Sequence, residues 1–444
     1  MANQKMSWEK LLSFTRIAAI TNDKDKHRTD YYRDYDRIIF SSAFRRLGRK
    51  TQVHPLVSND HIHTRLTHSL ETSSLGRGMG IAVGKELELK KELPTKITPH
   101  DIGAVVQAAC VAHDIGNPPF GHAGEYAIRH WYKNNLHLWH KCLKNEDNNE
   151  RIINDLILFE GNAQGLRILT QLENYVFNGG LRLTYSTLSS TIKYPWGSNH
   201  VSATNKGKFS IFNSEIKIYE DIANATSLIK NGCGEYSRHP LSYLVEAADD
   251  ICYKIIDIED ALELKICRLD DVKEMFFNMG GEEKVGNIPS GRREIIYLRT
   301  LAINNLINKC VSVFKSYYNE IMSGEFENDL ISKIRGKEEK GVLAAKKITE
   351  EKIFNDQRKI EIEIGSHSCI DIIMKSLVEA VNQFKESPIK MTFKSKQLFK
   401  LMGENKPNEG DSYYNCYMKI NDYISGMTDN YATFIAGQIN GMAN

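Results

Sequence analysis

The chain has 444 residues, 41% of them hydrophobic and 26% charged, with a formal net charge of +2. This is the balance of a globular protein with an ample core, and it excludes a chain that is basic throughout, as many nucleic-acid binders are. No apolar run reaches the ~18 residues of a membrane span, and the opening "MANQKMSWEKLL" has no signal core, so a cytoplasmic protein without a membrane partner is expected. The eight cysteines form no C-x-x-C pair, and Cys110 and Cys252 sit in apolar helical patterns, so free thiols are expected.

Helical patterns dominate along the chain. Near the N-terminus Arg28, Arg33, Arg37, Arg45, Arg46 and Arg49 alternate with Asp30, Asp34 and Asp36. Such mixed charge reads as a salt-bridge network. The alternative is a contact to polyphosphate or single-stranded DNA, because guanidinium matches phosphate. The next helical stretch, "HTRLTHSLETSSLG", carries Arg65 and His68 three residues apart on one face. Residues 101–115 form a helix that is apolar nearly all round, hence buried, and Pro118 should end it near Asn117.

Residues 133–150 are polar and Asn-rich and read as a surface connection. "LTYSTL" and "KFSIF" admit short strands around 175–212, because they are rich in β-branched and aromatic residues. Residues 240–264 form a further helix, with Pro240 in its first turn and an apolar stripe of Leu244, Ala248, Ile251, Ile255, Ile258 and Leu262. From about 322 to 365 the composition shifts to a charged amphipathic helix with a solvated face. The expected fold is all-α: a catalytic core over 1–270 and a mostly helical region over 271–444, with at most a short β element.

The chemistry concentrates in "AHDIGNPPFGHAGE", residues 112–125. A buried helix ends in His113-Asp114, and His122 and Glu125 follow a Pro-Pro turn. Neutral imidazole and ionised carboxylate are what a divalent metal needs, but two ligands cannot hold one alone. His68 and Asp249 are the candidates to complete the set. Asp250 can pair with Lys254 at i+4, a plain surface arrangement, whereas Asp249 aligns with Tyr253 and Asp257. That face carries an acid, a phenol and a second acid, a poor choice for a core unless something polar binds there. An HD dipeptide alone is weak evidence; the ordered set His…His-Asp…Asp on apolar helices is far more specific. His122 is a natural proton donor, and Glu125 at i+3 can orient its ring. The plainer reading makes His122 the cap of a helix starting near Gly121.

This set resembles the HD-domain metal phosphohydrolases, and within them the deoxyguanosine triphosphate triphosphohydrolase (dGTPase) family. "HRTDYYRDYDRIIFSSAFRRLGRKTQV", "HTRLTHSLE", "AHDIGNPPFGHAGE", "FEGNAQGLRIL", "LTYSTLSSTIKYPW", "KFSIFNSE", "HPLSYLVEAADDICY" and "DYISGMTDNYA" look like family blocks in family order. Little is recognisable between about 270 and 410.

The resemblance implies an HD-domain helical core and one divalent metal per subunit, held by His68, His113, Asp114 and Asp249. Mn²⁺ or Mg²⁺ is expected, and Fe²⁺, Co²⁺ or Ni²⁺ also suit such ligands. It implies hydrolysis of a deoxynucleoside triphosphate, dGTP above all, to nucleoside and tripolyphosphate. It assigns catalysis to His122 and Glu125, and substrate contacts to Gln52, Val53, Arg65, Asn117, Lys208, Tyr253 and Asp257. A homo-oligomer, hexamer or tetramer, is also implied. The competing functions are another HD phosphohydrolase acting on guanosine polyphosphates or cyclic nucleotides, a nucleic-acid-binding regulator, and a helical scaffold. The Tyr253/Asp257 face argues against the first, and the complete ligand set against the other two.

Overall fold

The structure, a computed structural model, describes residues 4–18, 28–52, 62–144, 146–173, 178–231, 235–280 and 291–442. Helices build it, and the described residues contain no sheet, only isolated bridges such as Arg16 with Thr184 and Gly197 with Ile211. The strands admitted for "LTYSTL" and "KFSIF" do not form. Tyr185–Thr191 is a helix whose N-cap, Thr184, accepts a hydrogen bond from the Thr187 amide, and Ile211 makes a single bridge. Ser and Thr here act as local caps, which outweighs their strand preference.

The apolar helix runs Pro99–Ala112. Thr98 and Asp101 cap each other's backbone, with Pro99 in the first turn, which sets the start two residues before the expected one. The helix Arg65–Leu89 lies antiparallel along it, since Gly76, Gly80 and Gly84 face Cys110, Gly103 and Pro99 in turn. A Cβ on Gly80 would lie 2.9 Å from the Gly103 Cα, so the glycine lets the two backbones approach closely. That approach carries His68 toward the end of the neighbouring helix. The third helix of the site, Ser242–Glu263, begins two residues after Pro240, which lies in the turn before it rather than in its first turn. Leu244, Ala248, Ile251, Ile255 and Ile258 are buried as the stripe predicts.

Two hydrophobic cores form. The first gathers these three helices with Leu269–Gly280, Arg292–Ser316 and Lys337–Ile348. The second packs His122–Asn134 and Asn149–Ile157 against Gln357–Glu386 and the C-terminal pair Tyr413–Ser425 and Asp429–Ile439. Each core therefore draws on residues from both sides of position 270. The connection over 133–150 is more than surface: Trp139 and Leu143 are fully buried, and the Trp139 indole donates to the Tyr132 carbonyl. The amphipathic stretch does present exposed pairs, Lys346 with Glu350 and Lys347 with Glu351. The N-terminal charges form the expected network: Arg28 pairs with Asp36, and Arg16 with Asp30 and Asp34. No helix among the described residues is long and apolar enough to cross a membrane.

Candidate active site

Three ligand atoms converge where the helices meet. His68, His113 and Asp249 each offer one, all within 4.8 Å of one another. His68 Nε2 lies 3.1 Å from Asp249 Oδ1, and His113 Nε2 lies 3.4 Å from the same oxygen. His113 Nδ1 sits 2.7 Å from the Cys110 carbonyl, which fixes the tautomer with a proton on Nδ1 when the ring is neutral. Nε2 is then left buried without a hydrogen-bond partner among the described residues, facing the cluster. A buried imidazole nitrogen with an open lone pair beside a carboxylate fits a divalent cation.

Asp114 stands beside this trio. Its Oδ1 is 3.5 Å from His113 Nε2 and accepts from Asn117 Nδ2, while Oδ2 pairs with Arg65 at 2.6 Å. Burial opposes charge throughout, yet the carboxylates of Asp114 and Asp249 raise His113 to about 9. Arg65 and His113 outweigh burial to hold Asp114 at about 2, and His113 and His68 hold Asp249 well below the usual carboxylate range. Binding a cation here would displace the His113 proton.

The helix His122–Asn134 opens directly after a strained turn, in which Phe120 has φ 64° and Gly121 φ 58°. The positive φ of Gly121 favours glycine there, and a Cβ would also lie 2.4 Å from the Arg65 guanidinium, which would have to shift. His122 projects from this turn with its side chain 78% exposed, reachable by a ligand. Its Nδ1 lies 3.0 Å from Glu125 Oε2. Glu125 is buried, and its other oxygen accepts from the Gly161 amide. Burial disfavours the Glu125 charge, but Lys208 and His122 outweigh it and hold the carboxyl ionised.

One cavity of about 370 Å³ joins these groups. Gln52, Arg65, His113, Asp114, Asn117, His122, Glu125, Lys208, Asp249 and Tyr253 all line it. His68 is buried behind it, and Val53 lies outside the described residues. Asp257 does not line the cavity; it is buried, and neither carboxyl oxygen has a hydrogen-bond partner among the described residues. Burial, with Asp260 and Asp249 nearby, pushes its carboxyl well up. Asp250 is not a plain surface acid either: its pair with Lys254 is half-buried, and burial raises it to about 6.

Sequence reasoning missed part of the lining. Lys193 stands at the cavity, paired with Glu246 at 3.2 Å, and Arg238 holds the other oxygen of Glu246 at 2.8 Å. Lys193 falls inside a recognised block, "SSTIKYPW", so its charge was a signal available in the sequence. Phe354, Lys359, Ile362 and Glu363 also reach the cavity, from a region where no motif was legible.

No family model matches the chain. Curated relatives do. A "Deoxyguanosinetriphosphate triphosphohydrolase-like protein" of Pseudomonas aeruginosa is 42% identical, with 99% of this chain and 100% of that one covered. A protein of the same description from Synechocystis is 34% identical with the same coverage. A "Deoxyguanosinetriphosphate triphosphohydrolase" of Salmonella typhi is 29% identical over 90% of this chain and 91% of its own. The chain is thus a member of the deoxyguanosinetriphosphate triphosphohydrolase-like family of hydrolases.

Proposed function

We propose that the protein hydrolyses deoxynucleoside triphosphates, dGTP above all, to the deoxynucleoside and tripolyphosphate. The observation that carries this is the sharing of one cavity by His113, Asp114 and Asp249 of the metal-ligand set, the His122–Glu125 pair and the cationic groups Arg65, Lys193 and Lys208. His68, His113 and Asp249, with Asp114 beside them, would hold a divalent ion, Mn²⁺ or Mg²⁺. When bound, such an ion supplies Lewis-acid polarisation of a phosphoryl oxygen and a more acidic water.

The chain's own residues do the rest. Lys193 and Lys208, both held charged by neighbouring carboxylates, neutralise the polyphosphate. His122 donates its Nε2 proton to the departing 5′-oxygen, a strongly basic leaving group that needs one. Glu125 accepts the Nδ1–H of His122 and keeps the ring oriented. Tyr253 packs against the sugar and leaves little room for a 2′-hydroxyl. The test is to incubate the Mn²⁺-loaded protein with each nucleotide and resolve the products by anion exchange. Tripolyphosphate plus nucleoside is expected; pyrophosphate plus monophosphate, or no turnover of any dNTP, would overturn the reading.

A further inference from the structure

The turn that launches His122 is gripped from the far end of the chain. Asp429, the first residue of the helix Asp429–Ile439, is 2% exposed. Its Oδ1 accepts from the Phe120 amide at 2.9 Å, and its Oδ2 accepts from the Thr51 amide and hydroxyl at 3.0 and 2.7 Å. A second grip lies at the start of the same turn. The buried Lys50 ammonium donates to the Asn117 carbonyl at 2.6 Å and to the Ser425 carbonyl at 2.5 Å. The C-terminal helix pair thus holds both ends of the segment 117–120. Phe120 adopts a left-handed backbone conformation that is unfavourable for a non-glycine residue, and it persists only where its surroundings impose it. The Asp429 carboxylate is the group that binds its amide.

We propose that Asp429 is a positioning residue for His122: by fixing the Phe120 amide it sets the left-handed Phe120–Gly121 turn and hence the direction in which the His122 ring projects. Asp429 does not itself line the cavity; it reaches the site through the Phe120 amide on one side and through Thr51, which lines the cavity, on the other. The inference rests on the reading of His122 as proton donor.

The test compares Asp429→Asn and Asp429→Ala with the wild type, each loaded with Mn²⁺. Asparagine keeps the volume but leaves one set of donors without an acceptor, so it reports even where alanine does not fold. For Asp429→Asn, kcat should fall at least tenfold, with KM and bound Mn²⁺ within twofold of wild type. Amide exchange at Phe120 should be faster than in the wild type. The double variant Asp429→Asn/His122→Asn should be no slower than His122→Asn alone, because the grip acts through a ring that is already gone. Additive losses in the double variant, an unchanged kcat, or a loss carried wholly by KM would overturn the proposal. If His122→Asn itself retains wild-type rate, the proton-donor reading fails, and the Phe120 exchange data still report whether the grip exists.

Discussion

At the scale of single residues, the site divides labour between groups fixed by burial and groups left free to meet a ligand. His68 is fully buried, and the His113 ring is locked by the Cys110 carbonyl, whereas His122 is exposed and held at one nitrogen only. A donor must move with its substrate, and a ligand must not. His122→Asn should therefore keep bound metal and lower kcat by roughly 10²–10⁴, the usual worth of a positioned acid. On an analogue with a much less basic leaving group at the α-phosphorus, the variant should recover a large share of the wild-type rate. An unchanged deficit would mean that the ring positions phosphate or water instead. Tyr253→Ala should narrow the preference for dGTP over GTP, read as the ratio of kcat/KM values. These residues were legible because each is a chemically costly side chain in an otherwise apolar pattern. Asp257 was legible as an unusual buried acid, but its place behind the cavity wall was not, since helical spacing gives the face of a residue and not its depth.

At the scale of elements, the turn before His122 rests on a contact no periodicity reveals. Gly116 lies against the helix Gly161–Arg167 so closely that a Cβ would fall 2.1 Å from the Gly161 carbonyl oxygen and the Gly165 amide nitrogen. That helix supplies the Gly161 amide that holds Glu125. Gly116→Ala should push the two apart, lowering both the melting temperature and kcat, because overpacking backbone against backbone costs typically 1–3 kcal/mol or more. An active, equally stable variant would show that the contact gives easily. The helices themselves were easier to anticipate. Apolar runs and the Pro118 break marked Pro99–Ala112, and the stripe marked Ser242–Glu263. The segment "LTYSTL" misled because its Thr and Ser serve as caps and helix-buried polar groups, a role that composition does not separate from strand preference.

At the scale of the whole molecule, distant parts of the chain close on one another through buried polar joints, and these explain why the C-terminal contribution was hard to foresee. Arg167 is clamped between Asp422 and Glu215, and Lys50 and Asp429 tie the same C-terminal pair to the turn 117–121. Such joints need only one side chain each and leave no repeating pattern in the sequence. Asp155 makes the clearest case. It is fully buried; Oδ1 lies 2.6 Å from Ser198 Oγ, and Oδ2 accepts from the Asn213 amide and from Tyr414 of the C-terminal pair. Burial outweighs these hydrogen bonds and raises its carboxyl to about 7. The neutral acid suits the site: its proton can go to Ser198 Oγ, which in turn donates to the Arg151 carbonyl at 3.2 Å. Because the folded value lies above the unfolded ~3.9, the folded state binds the extra proton, and stability falls as pH rises from about 4 to about 7, then levels. Asparagine reproduces the neutral pattern, its amide donating to Ser198 and its oxygen accepting from Asn213 and Tyr414. Asp155→Asn should thus match the wild type near pH 4 and exceed it increasingly up to pH 7, in melts taken at half-unit steps. A constant difference across that range would show that Asp155 titrates normally and that the joint holds a charge.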